Sequence, residues 1–253
     1  MSYSIQSRLS ISFGLLSLTF LGLVACSPQL HVAEITGAQY VISKELPRDS
    51  TITAFLAPYK ANIDSQMSSV IATAGRKIER RKPEGLLNNL VTDAMADIAR
   101  QNNIGFDLAH TNYEGLRNPL PEGPIRTYKV FELMPFESYL VVVKLDGKGT
   151  QELFDYMAAL GGDPISGASF KIKGDKAVDV LIGGKPLDPS RTYTVLTSDY
   201  MANGGDMATF YPKALERKDT QIKLRDAILM YLKQQTEAGK TINPQIDGRI
   251  TVE

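Results

Sequence analysis

The sequence predicts an α+β fold, a single domain in which helices flank a mixed sheet. Strand-like and helical segments are interleaved along the 253 residues, which is typical of a layered fold. Two hairpins interrupt this alternation, and antiparallel pairs of that kind indicate a mixed sheet rather than a doubly wound parallel sheet. The composition agrees, because 43% hydrophobic and 22% charged residues are ordinary for a folded globular protein.

Helices are predicted where apolar residues recur at helical spacing. The strongest such segment is 84–101, and its apolar positions are Leu87, Leu90, Val91, Ala94, Met95 and Ile98. A weaker helix is predicted for 55–66. Two further helices, 147–160 and 224–237, are followed by the helix-ending glycines Gly161-Gly162 and Gly239.

Strands are predicted where short β-branched or alternating runs lie between turn residues. These runs are 69–78, 106–111, 127–133, 139–145, 168–173, 177–182 and 193–198. Gly174-Asp175 lies between two of them and is a hairpin signal. A further short strand is suggested at 39–42, ahead of the domain.

The N-terminus has the pattern of a secretory signal peptide. Arg8 precedes the apolar run 9–25, which is short for a membrane span. The run ends in Leu23-Val24-Ala25-Cys26, which resembles the lipobox of bacterial lipoproteins. The resemblance implies cleavage before Cys26 and acylation of its thiol, so that lipid chains hold the protein at a membrane. The alternative is a plain signal anchor with an incidental cysteine.

These features divide the chain into a signal peptide at 1–25, an acylated cysteine with a tether at 26–49, and a globular domain at 50–253. Ser27 follows the cysteine. In lipoproteins of Gram-negative type, a residue other than aspartate at this place usually permits sorting to the outer membrane. We therefore expect a lipid-anchored protein of the bacterial cell envelope, in the outer membrane.

Charge and cysteine content argue against several classes of protein. Lys and Arg together number 28, as do Asp and Glu, so nothing favours binding to nucleic acid. Cys26 is the only cysteine, which excludes an intrachain disulfide and a zinc-type cysteine cluster. His31 lies in the tether, and His110 ends a predicted buried strand, where a core role is expected.

Four loops gather polar and aromatic residues at strand ends or helix starts, where functional sites concentrate. They are 80–82, 112–117, 134–138 and 199–206. Aromatic faces can stack on a heteroaromatic ring, a carboxylate can accept ribose hydroxyls, and arginines can bind phosphate. The set suits a nucleotide, but the residues alone leave structural roles open. Those roles are a core plug for Phe136, a solvated face for 80–82 and a helix N-cap for Asp206.

The motifs in these loops resemble the C-terminal domain of the 5'-nucleotidase family over roughly 69–250. The strongest match is Tyr200-Met201-Ala202-Asn203-Gly204-Gly205-Asp206, close to the family's aromatic-x-x-x-Gly-Gly-Asp signature. Three other motifs follow the family's order and spacing: Asn89-Leu90 with Asp93-Ala94-Met95, Asn112…Gly115-x-Arg117, and Pro135-Phe136. The resemblance implies the fold of that domain.

The resemblance also implies how a nucleoside would be held. Phe136 and Tyr200 would stack on the two faces of the base, and Asp206 would accept the ribose hydroxyls. Asn112 would contact the base, and the backbone at Gly167 would run close to it. The ligand implied is therefore a nucleotide or a nucleoside.

On the phosphate side, the resemblance implies Arg81 and Arg117. It also implies a partner, because enzymes of the family carry an N-terminal metallophosphoesterase domain with two metal ions, bound through motifs such as Asp-x-His and Gly-Asn-His. Neither motif occurs in this sequence. We therefore expect no catalytic residues and no cofactor in this chain, with divalent metals held only by a partner phosphoesterase.

Three functions remain open. The first is a specificity subunit that binds a nucleotide or nucleoside and acts with a separate metallophosphoesterase, forming a split 5'-nucleotidase of nucleotide catabolism. The second is a stand-alone nucleoside- or nucleotide-binding lipoprotein for uptake or sensing. The third is a structural module with a degenerate pocket, suggested by Glu114 and Glu137, which stand where the family usually has other residues.

Overall fold

The computed structural model describes residues 37–40, 43, 46–47 and 49–253. The predicted signal peptide, Cys26 and most of the tether lie outside these residues. Of the strand suggested at 39–42, residues 39 and 40 are not in a strand, and the other two lie outside the described residues. Residues Thr51–Glu253 form one unit by their internal contacts.

Six α-helices lie in the described part of the chain. They are α1 (Ser50–Met67), α2 (Leu86–Gln101), α3 (Thr127–Leu133), α4 (Gly147–Ala159), α5 (Asp199–Ala202) and α6 (Leu224–Glu237). Short 3-10 turns occupy Tyr113–Gly115, Gly205–Met207 and Tyr211–Lys213. The helices predicted at 55–66, 84–101, 147–160 and 224–237 are confirmed as α1, α2, α4 and α6.

Eleven strands lie in the same part of the chain. They are β1 (Val70–Ala74), β2 (Leu108–His110), β3 (Gly123–Arg126), β4 (Tyr139–Asp146), β5 (Ile165–Ser166), β6 (Ala168–Lys173), β7 (Lys176–Ile182), β8 (Lys185–Pro186), β9 (Thr192–Ser198), β10 (Glu216–Lys223) and β11 (Ile250–Val252). The predicted strands at 139–145 and 193–198 and the hairpin around Gly174-Asp175 are confirmed. The strands predicted at 69–78 and 106–111 exist but are shorter.

The strand predicted at 127–133 is wrong, because these residues form α3. Thr, Tyr, Val and Phe give the segment a high strand propensity. Its buried residues, Val130 and Leu133, are three apart, which suits one face of a helix and not one face of a strand. The strand of this region is instead β3, which immediately precedes α3 and pairs with β1. Tertiary packing therefore outweighs local propensity here.

The strands form mixed sheets. The central sheet has the order β10-β4-β9-β2-β5, in which only β9 and β2 run parallel. A second sheet has the order β11-β6-β7-β8, with β11 parallel to β6. The predicted fold class is confirmed: a single α+β domain with mixed sheets and flanking helices.

Strand β4 explains why helices cover both faces of the central sheet. Leu140 and Val142 pack into a buried cluster that contains residues of α2 and α6, whereas Val141 and Val143 pack into a second cluster with α4. Successive side chains of a strand point to opposite faces. Each such side chain contributes about 1.5–3 kcal/mol when it is fully buried. Both faces of β4 are apolar, so both must be covered.

One edge of the central sheet collects three of the four loops. Strand β9 runs parallel to β2 and antiparallel to β4, and Leu140 pairs with Ser198. The carboxyl ends of β2 and β9 therefore lie beside the amino end of β4. The segments 111–117, 134–138 and 199–206 leave or enter the sheet at this edge. Ligands of open α/β sheets commonly bind beyond the carboxyl ends of strands.

Helix α1 differs from the other helices because none of its residues is buried. Phe55 and Tyr59 are 67% and 61% exposed, and their ring centroids lie 5.8 Å apart. Across the residues that the structure describes, no helix is both long enough and apolar enough to cross a membrane.

Candidate functional site

A cleft of about 250 Å³ opens at this edge of the central sheet. Its lining residues are Thr111, Asn112, Glu114, Gly115, Arg117, Met134, Phe136, Ser138, Ser198, Tyr200, Asp206 and Leu224. Five of the seven residues that the sequence implicates are therefore brought together: Asn112, Arg117, Phe136, Tyr200 and Asp206.

The turn after β9 places Tyr200 and Asp206 side by side. Ser198 caps α5 by accepting a hydrogen bond from the Met201 backbone N–H at 3.2 Å. Beyond α5, Gly204 adopts a left-handed φ of 88°. Gly205 lies flat under the Tyr200 ring, because an added Cβ would be 2.5 Å from a ring carbon. The two glycines thus let the ring fold back over its own turn.

Asp206 is the centre of a hydrogen-bond network. Its Oδ1 accepts from the Tyr200 hydroxyl and its Oδ2 from Asn112 Nδ2, both at 2.6 Å. The Tyr156 hydroxyl donates to the Asp206 carbonyl at 3.1 Å. The hydrogen bond to Asp206 raises the pKa of Tyr200 above its usual value, as burial does for the pKa of Tyr156. Both phenols therefore stay protonated donors at neutral pH.

Asp206 is not a helix N-cap. It lies inside the 3-10 turn with a left-handed φ of 51°, and no side chain caps that turn. Asp and Asn tolerate this backbone region better than most residues. The position presents the carboxylate to the cleft.

Phe136 faces the cleft and does not plug the core. Its side chain is 38% exposed, and it belongs to neither buried cluster. Arg225, which is nearly buried, holds the loop by donating to the carbonyls of Met134 at 3.4 Å and Phe136 at 3.3 Å. The Arg225 guanidinium therefore holds the backbone that carries the Phe136 ring.

Glu137 completes this clamp. Its carboxylate accepts hydrogen bonds from Lys223 and Arg225. Those two bonds lower the pKa of Glu137 to about 2. The Arg225 guanidinium also lies 4.2 Å from the centre of the Phe131 ring on α3. Glu137 does not line the cleft. Its carboxylate instead holds the Phe136 loop through the bonds from Lys223 and Arg225.

Arg117 approaches Phe136 from the neighbouring loop. Its guanidinium carbon lies 5.2 Å from the centre of the Phe136 ring, within the range of a cation–π contact. Within the described residues, no carboxylate lies within ion-pair distance of Arg117. Its backbone N–H donates to the Leu133 carbonyl at 2.9 Å. Arg117 therefore brings a positive charge to the cleft while it orients one aromatic wall.

Glu114 is the second carboxylate of the cleft. Its Oε2 accepts from Arg80 Nη1 at 3.0 Å, and the same nitrogen donates to the Tyr113 carbonyl at 2.9 Å. The Arg80 guanidinium lies 4.4 Å from the centre of the Tyr113 ring. Glu114 is not among the residues with positive φ, so this turn does not require glycine there.

Arg81 and Gly167 lie outside the cleft lining. Arg81 lines a separate basic groove together with Arg76, Lys77, Arg80 and Lys82. Gly167 has a left-handed φ of 81°, and an added Cβ would lie 2.9 Å from the Asp107 carbonyl oxygen. A glycine is needed at this position because the backbone at the start of β2 leaves no room for a side chain. Roles for Arg81 and Gly167 in ligand binding stay predictions.

A buried network behind the cleft had no signal in the sequence pattern. His110 Nδ1 lies 2.8 Å from the Tyr211 hydroxyl, and its Nε2 lies 3.4 Å from Asp163 Oδ2. The other Asp163 oxygen accepts from the Tyr113 N–H at 3.2 Å. The network thus fixes the turn beside Asn112, and the core role expected of His110 is confirmed. In the described part of the chain, no three His, Cys, Asp or Glu side chains gather as a metal site would require.

The fold and the cleft together define a class of protein: an α+β domain with an aromatic, polar cleft at one edge of a mixed sheet. The family model described as "5'-nucleotidase, C-terminal domain" matches residues 61–213. The chain belongs to the 5'-nucleotidase C-terminal domain family.

The chain is also similar to individual members. It is 28% identical over 172 residues to Protein UshA of Escherichia coli, covering 64% of this chain and 30% of that protein. It is 27% identical over 179 residues to a 5'-nucleotidase of Vibrio cholerae, covering 68% and 31%. It thus spans about a third of the length of these relatives.

A solved structure agrees with the sequence comparisons. The crystal structure of the 5'-nucleotidase precursor from Thermus thermophilus aligns with a TM-score of 0.66 and 30% identity. The alignment covers 81% of this chain and 44% of that one. The similarity therefore supports both the family and the fold.

Proposed function

We propose that this chain recognises the base and ribose of a nucleotide or nucleoside, and serves as the specificity subunit of a split 5'-nucleotidase. The observation that carries the proposal is the convergence of Phe136, Tyr200, Asp206 and Asn112 in one cleft. The family match to a C-terminal domain supports the second half of the proposal, because the matched region is only 30% of the length of the relative from Escherichia coli. A separate metallophosphoesterase would supply the metal-dependent hydrolysis.

The cleft offers a distinct contact for each part of a nucleoside. The rings of Phe136 and Tyr200 are 38% and 46% exposed and supply two aromatic faces for a base. Stacking of a base on an aromatic ring contributes about 1–3 kcal/mol by alanine substitution. Asp206 supplies acceptor sites for a ribose diol, and Asn112 supplies an amide beside it.

The subunit role is tested by reconstitution. The chain is mixed with a metallophosphoesterase that is encoded near it and lacks this domain, and release of phosphate from nucleotides is measured. We expect activity that depends on both proteins and falls at least about tenfold with Phe136→Ala, because one stacking face is lost. Phe55→Ala, an exposed aromatic on α1, is the matched control and leaves activity unchanged. Failure of the two proteins to associate or to gain activity contradicts the subunit role.

A stand-alone nucleoside- or nucleotide-binding lipoprotein is the second candidate. It is favoured by the way the fold brings Asn112, Phe136, Tyr200 and Asp206 from three separate loops into one cleft. Metal-independent binding without any phosphoesterase, together with proximity to a transporter gene, would support it. The degenerate-pocket candidate is less favoured, since Glu137 lies outside the lining and Glu114 pairs with Arg80.

Lipid anchoring through Cys26, with the outer membrane as location, is a separate part of the proposal. Acyl chains would retain the mature protein in the membrane fraction. Cys26→Ala is expected to abolish acylation, measured by mass spectrometry of the N-terminal peptide. It is also expected to keep the protein out of the detergent phase in a detergent–water partition. An acylation-independent membrane fraction would instead indicate a plain signal anchor.

A further inference from the structure

In the part of the chain that the structure describes, the charged residues that line the cleft include two carboxylates and one guanidinium. They are Glu114, Asp206 and Arg117. Arg80, the cation that pairs with Glu114, is not among the lining residues and lines the neighbouring basic groove. A ligand in the cleft therefore meets the Glu114 carboxylate on the inside, while the balancing charge lies outside.

Two of the cations near the cleft, Arg80 and Lys82, are already engaged in hydrogen bonds. Arg80 Nη1 is used by the Tyr113 carbonyl and by Glu114. Lys82 donates to the Leu160 carbonyl and lies 4.9 Å from the Tyr113 ring centre. Among the described residues that line the cleft, Arg117 is the only cation, and its guanidinium lies over Phe136. A phosphate ester, which carries about −1.5 to −2 at neutral pH, commonly needs several such donors.

Glu114 lies on the same loop as two other residues that would contact a bound nucleotide, one at the base and one at the phosphate. Asn112 and Arg117 are two and three residues away, and the turn between them is anchored through the Tyr113 N–H to buried Asp163. Its side chain is 65% exposed, so its field is screened but not removed. Arg117 and Glu114 both line the cleft, so a phosphate paired with Arg117 would also be exposed to the charge of Glu114.

We propose that Glu114 is a specificity-determining residue that makes this cleft select an uncharged nucleoside over the corresponding 5'-phosphate. The inference rests on the proposed function, because it takes the ligand to be a nucleoside unit. It assigns recognition of base and ribose to this chain and leaves the phosphate to another polypeptide. The repulsion corresponds to roughly a tenfold preference in affinity across a solvated cleft.

The test is calorimetric titration of the full chain, in detergent, with the four ribonucleosides and their 5'-monophosphates. We expect at least one nucleoside to bind about tenfold more tightly than its monophosphate, with the preference shrinking as salt is raised. Glu114→Gln should raise the affinity for the monophosphate, so that the ratio of nucleoside affinity to monophosphate affinity falls towards one. Glu216→Gln is the matched control, since Glu216 is 69% exposed, pairs with Lys144 and lies outside the cleft.

A second variant tests the same inference without changing Glu114, in case Glu114→Gln alters the structure of its turn. Arg80→Met leaves the carboxylate in place without its cation, so the preference for the nucleoside should increase. Equal affinity for nucleoside and monophosphate in the wild-type chain overturns the inference and leaves the proposed function standing. An unchanged ratio in Glu114→Gln overturns it as well. Absence of binding to all eight compounds contradicts the proposed function, and this inference fails with it.

Discussion

Asp206 occupies a backbone position that few side chains tolerate, yet its carboxylate is well placed for a ligand. A carboxylate has about four acceptor sites. Tyr200 and Asn112 use one site on each oxygen. About two sites are left, which matches the two hydroxyls of a ribose. The same two donors hold the carboxylate in place before any ligand arrives.

Asp206→Asn is expected to weaken ribonucleoside binding by about tenfold or more, because a charged acceptor is replaced by a neutral amide. Asn tolerates a left-handed φ, so the turn should persist. The measurement is titration with a ribonucleoside and with its 2',3'-dideoxy analogue. The variant should not change affinity for the analogue. Equal losses for both ligands would mean that Asp206 supports the loop rather than the ribose.

Glu137 gives a second prediction, which concerns pH. Its pKa in the folded protein is lowered from 4.5 to about 2 by hydrogen bonds from Lys223 and Arg225. A lowered pKa adds stability that is fully present above the unfolded value and is lost as pH falls towards the folded one. Glu137→Gln should therefore lower the melting temperature at neutral pH, and the difference from wild type should shrink below pH 4.5.

Thermal unfolding followed across this pH range checks the prediction. Glu122→Gln, an exposed carboxyl on the loop before β3, is the control and should change melting little at any pH. A Glu137→Gln difference that is constant with pH would show that the carboxylate charge does not stabilise the Phe136 loop.

The candidate site residues were predicted from the sequence through short motifs that resemble those of the family. Phe136, Tyr200 and Asp206 lie in short motifs that follow regular elements, and all three line the cleft. Arg225 and Tyr156 could not be found in this way. Arg225 reaches Glu137 across 88 positions of sequence, and Tyr156 reaches Asp206 across 50. Such partners become neighbours only through the fold.

At the scale of elements, the predictions succeeded where one face is apolar. Helix α2 has eleven buried residues, and its periodicity identified it directly. Strand β10, Glu-Arg-Lys-Asp-Thr-Gln-Ile-Lys, has no buried residue and lies at the edge of the central sheet. It was missed because an exposed, charged edge strand has no hydrophobic alternation. Helix α3 was misassigned because strand propensity depends strongly on context.

The turn that joins α5 to the following 3-10 turn gives an element-scale prediction. Gly205→Ala places a methyl group 2.5 Å from the Tyr200 ring and should displace that ring from the cleft. We expect nucleoside affinity to fall about tenfold or more, since one stack is lost, while the melting temperature changes little. Gly105→Ala is the control, because its Cβ would meet nothing within 4 Å. Unchanged nucleoside affinity in Gly205→Ala would mean that binding does not depend on the orientation of the Tyr200 ring.

At the scale of the whole molecule, the sheet order was beyond the reach of sequence patterns. Strand β4 pairs with β9 and β10, which follow it by about fifty and seventy residues. The periodicity of apolar residues identifies a buried strand but does not show which other strands pair with it. Interleaved helices and hairpins were sufficient to predict the class, and the pairing required the structure.

The distribution of burial predicts where the molecule is sensitive to substitution. Phe154 of α4 is fully buried, with its ring centroid 5.4 Å from that of Phe170. Phe154→Ala should lower the free energy of unfolding by about 3–5 kcal/mol, because it removes apolar contacts and leaves a cavity. Phe55→Ala on exposed α1 should change it by less than about 0.5 kcal/mol. Denaturant titration measures both, and a large loss in Phe55→Ala would mean that α1 packs against the domain in solution.

The most direct test of the central claim is calorimetric titration of nucleosides and nucleotides into the chain, with and without divalent metal, for wild type, Phe136→Ala and Tyr200→Ala. A recognition domain predicts binding that needs no metal and is lost in either variant. Binding that survives both substitutions, or no binding to any of these ligands, would contradict the assignment of this cleft to nucleoside recognition.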